Sequence, residues 1–203
     1  MNQTNLRLSA KEMEMIKNAD WILTKNGIMR KTIMLLENVQ EKQQLFLSKE
    51  GSHLPIEAVE GSPKISKGEN YKGLPYLVLD YPRVFEKKNS FAIRTLFWWG
   101  NFFSITLHLS GRYKKRYEKK LAASFSELKK SGFRLCTNKE EWEHHFEKTN
   151  YISLEKLGLN DYKKNITKNS FIKLAKKYSL QDWGKSGDKL MKDFKKIISV
   201  LEH

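Results

Sequence analysis

Hydrophobic and polar positions change period along this chain, and each change marks a different kind of element. Near the N-terminus Met13, Ile16, Ala19 and Leu23 recur at helical spacing behind Ser9-Ala-Lys-Glu12, a capping-box signature. The spacing predicts a helix starting at Ser9 and stopping at Asn26-Gly27, a pair suited to a left-handed end. A second helix is predicted over about 28–47, with Ile28, Leu35, Leu36, Val39 and Phe46 on its apolar side; the two form either an antiparallel pair or one bent helix. From 48 to 73 no period persists, and Gly, Ser, Pro and charge predict one long internal loop. Within it Lys64 to Gly73, KISKGENYKG, holds glycines and lysines able to approach an anion. It matches neither the dinucleotide fingerprint nor the P-loop.

The middle of the chain switches to period two. Leu74 to Tyr81, LPYLVLDY, reads as a strand stopped by Pro82. Phe91 to Gly111, FAIRTLFWWGNFFSITLHLSG, packs aromatic and β-branched residues around Gly100-Asn101 and predicts a β-hairpin over about 91–110. A two-residue primed turn sets Trp99 opposite Phe102, Arg94 opposite Leu107 and Ile93 opposite His108. One face then carries Ala92, Arg94, Leu96, Trp98, Phe103, Ile105 and Leu107. The other carries Ile93, Thr95, Phe97, Trp99, Phe102, Ser104, Thr106 and His108.

Helical period returns over 113–130, with Tyr117, Leu121, Phe125 and Leu128 as the apolar stripe and Gly132 as the stop. An edge strand is predicted near 133–137, and a short helix capped by Asn138 carries Trp142, His145 and Phe146. Further helices are expected near 161–178 and 186–200. The sum is an α+β fold: a mainly antiparallel sheet built around the central hairpin, flanked by N-terminal and C-terminal helices, in one domain over 1–200. Leu201-Glu202-His203 reads as the start of a vector-encoded histidine tag.

Composition narrows the function classes. At 203 residues with 39% hydrophobic and 30% charged positions, the chain can bury one sizeable core. The single cysteine, Cys136, excludes an intramolecular disulfide or a cysteine zinc cluster and suits a packed thiol in a cytoplasmic protein. No apolar run is long enough to span a bilayer, so no membrane partner is expected.

The net charge of +15 is unevenly spread: 15 basic and 11 acidic residues lie through Gly111, against 23 and 12 from Arg112 onward. The run from Arg112 to Lys120 interleaves Tyr113 and Tyr117 with Arg112, Lys114, Lys115, Arg116, Lys119 and Lys120, a pattern that could bind nucleic acid by charge and stacking. Against it, 31 lysines outnumber 7 arginines, and lysine is a point charge without the fork that reads bases; a solvated basic helix face fits as well.

Candidate chemistry centres on the hairpin. An arginine on a largely apolar face needs a carboxylate, and Asp80 on the neighbouring strand, followed by Pro82 and Arg83, is the nearest. Arg94 therefore either pairs with Asp80 to fix strand order or binds a ligand. The leading expectation is a domain that binds a ligand or partner through an aromatic-rich sheet surface, using Asp80, Arg83, Arg94, Trp99 and His108. Beside the nucleic-acid reading stands a small-substrate enzyme using His108 and Asp80. His144-His145, among Glu140, Glu141, Glu143 and Glu147, is the one cluster of metal-capable side chains, but a helix offers one carboxylate and one imidazole per face, too few to hold a metal. No cofactor is expected.

Overall fold

The computed structural model describes residues 6–202, so His203 of the expected tag lies outside the described residues. The chain opens with α1 (Ala10–Lys17), α2 (Ala19–Glu50) and α3 (Ile56–Val59), then β1 (Lys64–Tyr71), β2 (Leu74–Phe85), β3 (Ser90–Trp98) and β4 (Phe102–Ser110). It continues through α4 (Gly111–Ala123), α5 (Phe125–Lys130), β5 (Arg134–Cys136), β6 (Tyr151–Ser153), α6 (Leu159–Lys168), β7 (Phe171–Ser179) and α7 (Trp183–Glu202). The seven strands form one antiparallel sheet in the order β1-β2-β3-β4-β7-β5-β6, which makes the fold α+β.

The capping box forms: Glu12 N–H donates to the Ser9 hydroxyl, and Ser9 N–H donates to the Glu12 carboxylate at 2.7 Å. The helix breaks at Asn18, whose side chain accepts from Trp21 N–H, and not at Asn26-Gly27. From there α2 runs unbroken through Gly27. Burying the stripe of Met29, Leu36, Val39 and Leu47 demands a continuous helix and outweighs the roughly 1 kcal/mol that a helical glycine costs. The expected loop over 48–73 contains α3 and β1; β1 escapes a periodicity reading because it is a half-exposed strand at the sheet edge.

Pro82 does not stop β2. The strand bulges between Asp80 and Arg83, where a residue without an N–H takes no place in the ladder, and resumes with Arg83 opposite Ala92. That extra residue turns Asp80 and Arg83 to the same side of the sheet. The hairpin forms, but its turn spans three residues, 99–101. Of its residues only Gly100 takes a positive φ, 69°, whereas a two-residue primed turn of the Asn-Gly type needs two. Trp98 consequently faces Phe102, Arg94 faces Thr106 and Ala92 faces His108. The one-residue slip carries every β4 side chain to the other face relative to β3. Arg94 and His108, expected on opposite faces, share one.

The helix expected over 161–178 ends at Lys168, and its second half is β7, which pairs with β4 along its whole length and sets Lys173 opposite His108. The sheet thus has one face under α2, α4 and α7, where Leu77, Leu79, Phe91, Ile93, Phe97, Phe103, Ile105 and Leu107 form the core. Leu201, the first residue of the expected tag, is buried in that core at 0% exposure, and its carbonyl accepts from Lys120 Nζ. The other face lies under an irregular strap, 137–150, with no helix in it: Asn138 accepts from Glu140 N–H in a local turn. No helix of the described residues is long and apolar enough to cross a membrane.

Candidate functional site

Strand alternation and the β2 bulge line up two cross-sheet rows beneath the strap. One runs Lys64, Asp80, Arg94, Thr106 and the next Arg83, Ala92, His108, Lys173. Asp80 and Arg94 form a two-bond ion pair, Nε to Oδ1 at 2.8 Å and Nη2 to Oδ2 at 2.9 Å, with little solvent access to either side chain. Such parallel forked bonds compensate a buried guanidinium and fix its plane.

The third guanidinium nitrogen, Nη1, donates to His144 Nε2 at 3.1 Å. Arginine cannot accept, so His144 is neutral with its proton on Nδ1. Burial first, then the neighbouring Arg94 charge, pushes the His144 imidazole down to about 2.

His108 lies one row away and is buried. Its Nε2 donates to Glu141 Oε1 at 2.6 Å, and that bond holds the Glu141 carboxyl below its usual range. Burial lowers the His108 pKa against the opposing pull of Glu141. Beside it Lys173, 1% exposed, donates from Nζ to the carbonyls of Glu141 at 2.8 Å and Glu143 at 2.6 Å. Burial brings the Lys173 ammonium down to about 8. Tyr71 closes the other flank: its hydroxyl donates to Glu143 and accepts from the N–H groups of His144 and His145, and burial raises it to about 12.

At the β1 end of the strap the face opens into a cleft of about 260 Å³ lined by Lys64, Ser66, Asp80, Arg83, Phe85, Arg94 and Trp142. Arg83 commits Nε to the Ser62 carbonyl at 3.0 Å, and both of its terminal nitrogens remain without an acceptor among the described residues. Lys64 is exposed and has no ion pair among them. Trp142, 53% exposed, and Phe85, 38% exposed, stand with ring centroids 5.9 Å apart, and the Arg94 guanidinium lies within 6 Å of both. Trp142 also covers His108, centroids 5.1 Å apart, and so separates the imidazole from the cleft.

Three of the five expected site residues, Asp80, Arg83 and Arg94, therefore line one cleft. His108 sits beneath its aromatic wall. Trp99 is elsewhere: it lies in the turn, packs edge-on against Phe97 and faces the helical side with Ile28, Leu180 and Trp183. The hairpin face that carries Phe97 and Phe103 is covered as well, because both rings pack against Trp183 of α7. Sequence reading passed over Lys173 as a site residue. The alternation of Ile172, Leu174 and Tyr178 on one side with Phe171, Lys173 and Ala175 on the other was the available signal.

The basic run on α4 is largely occupied. Arg112 pairs with Glu57 and Glu86, Lys114 with Glu118, Arg116 donates to the His53 carbonyl, and Lys120 donates to the Leu201 and Glu202 carbonyls. Lys115 and Lys119 point to solvent. Tyr113 and Tyr117, expected to stack on bases, are 2% and 1% exposed and pack on Phe91 in the core. Among the described residues no group of three or more metal-capable side chains gathers. No protein-family model, curated protein or solved structure matches this chain.

Proposed function

We propose that the protein binds a small anionic ligand carrying a planar group, seated in the cleft between β2 and the strap. The supporting observation is uncompensated positive charge beside paired aromatic walls: Asp80 is neutralised by Arg94, which leaves Arg83 and Lys64 facing a cleft bracketed by Trp142 and Phe85. A carboxylate or phosphate satisfies the free Arg83 nitrogens, and a flat group rests on the indole. Catalysis by His108 and Asp80 has less support, because both Asp80 oxygens are held by Arg94 and His108 Nε2 is held by Glu141. The basic run on α4 lacks the exposed tyrosines that favoured nucleic acid.

Titration of isotope-labelled protein with benzoate and with phenyl phosphate, followed through the Trp142 indole and the arginine side-chain NMR signals, tests the reading. Saturable shifts at Trp142 and Arg83 are expected. Arg83→Gln should weaken binding roughly tenfold to hundredfold, the effect of one charge-assisted hydrogen-bond donor. Shifts confined to α4, or none with either probe, would reject it.

A further inference from the structure

We infer that the N-terminal arm, residues 6–24, is a self-association element that pairs with the same arm of a second copy of this chain. Every residue from Leu6 to Thr24 is exposed, and the first buried residue of α2 is Met29. Yet the arm is strongly apolar. Leu6 and Leu8 precede α1; Met13, Met15 and Ile16 lie on it. Trp21, Ile22 and Leu23 follow in the first turns of α2, and all eight are 42–85% exposed. The bend at Asn18 folds part of this surface into a groove of about 550 Å³ with Met15, Ile16, Trp21 and Leu23 in its walls.

Two features select a second copy as the occupant. The first is area. Eight large apolar side chains, all 42–85% exposed, fall within one short arm, more than scattered single residues leave on a monomer and of the kind that each partner contributes to a stable interface. An eight-residue helix is also too short to persist on propensity alone, and α1 buries none of its own residues, so it needs packing from outside.

The second is charge. In a chain of +15, the arm balances Arg7, Lys11 and Lys17 with Glu12, Glu14 and Asp20. A helix that lies on anionic lipid carries a basic polar face, and an acidic partner needs excess positive charge; the arm offers neither. Equal and interspersed signs let an antiparallel copy of the arm meet itself without net repulsion, as a two-fold interface requires.

The test is sedimentation velocity on the full chain, with the same samples offered to phosphatidylserine–phosphatidylcholine vesicles. The expected result is a dimer that ignores the vesicles. Ile16→Glu with Leu23→Glu should weaken it roughly hundredfold, the scale of a lost interface centre, with helicity falling by no more than the short α1 contributes, because both residues are exposed in the monomer and the rest of the fold does not depend on them. Leu45→Glu, at a 62% exposed position farther along α2, should leave the dimer intact. A monomeric wild type, a dimer that survives the double substitution, a dimer that dissolves with Leu45→Glu, or vesicle binding by the arm would each overturn the inference.

Discussion

Under α2, α4 and α7 the sheet presents Leu77, Ile93, Ile105 and Leu107, each at most 1% exposed; under the strap the same strands present Asp80, Arg94, Thr106 and His108. Regular helices seal the first face, and contact between apolar surfaces suffices there because any well-shaped hydrocarbon fills the space. The second face is sealed by a segment with no repeating structure, held by polar links to Tyr71, Arg94, His108 and Lys173 and by Phe146, which packs on Phe102 and Tyr151. Links of that kind cost little stability when both partners are replaced and a great deal when one is left behind.

The sharpest way to break this contrast is Asp80→Ala. Leaving Arg94 without its carboxylate should cost about 3–5 kcal/mol in urea unfolding, whereas Asp80→Leu with Arg94→Met should recover most of it. Leu107→Ala on the helical face should lose about 2–5 kcal/mol through its cavity, with no neighbouring polar change able to restore it. Equal behaviour of the two faces would end the distinction. Lys173→Met comes next: two strap carbonyls lose their donor, for about 3 kcal/mol, and hydrogen exchange should rise across 137–150 while α2 and α7 stay protected.

Acid provides a smaller and reversible version. Folded His144 stays neutral down to about 2, while the unfolded imidazole takes up a proton near 6.5, so the unfolded chain binds more protons between those values. The His144 contribution is full above about pH 6.5 and is lost with acidity, by about 2 kcal/mol at pH 5. His144→Gln should flatten that slope; an unchanged slope would place the acid sensitivity elsewhere. The mildest change is Trp142→Ala, which removes a half-exposed ring and should cost about 1 kcal/mol or less. It should also open His108 to diethyl pyrocarbonate, and continued protection would mean that the strap, not the indole, shields the imidazole.

Much of the helical face was legible because its residues repeat. The stripes of α2 and α4, the capping box at Ser9 and the hairpin all follow from local spacing. The Asp80–Arg94 pair was legible too, since an arginine among apolar neighbours on a strand has few ways to be satisfied. What failed was register and the strap. A single backbone angle at Gly100 decided which face β4 shows, and the sequence Gly-Asn serves a three-residue turn as well as a two-residue one. The FIKLAKKYS segment of β7 offers Leu174 and Tyr178 at helical spacing and also Ile172, Leu174 and Tyr178 at strand spacing; pairing with β4 decides between them. Trp142 and His144 reach the site through a segment that has no period to read.

Lys173 grips the strap by two main-chain carbonyls, groups that every amino acid supplies. The half-exposed side chain at position 142 can therefore be exchanged without redesigning that anchor. The same property makes the positions of 137–150 whose side chains make no polar link to the sheet, Trp142 among them, the natural ones to randomise in a library, because Lys173 holds the segment by its backbone.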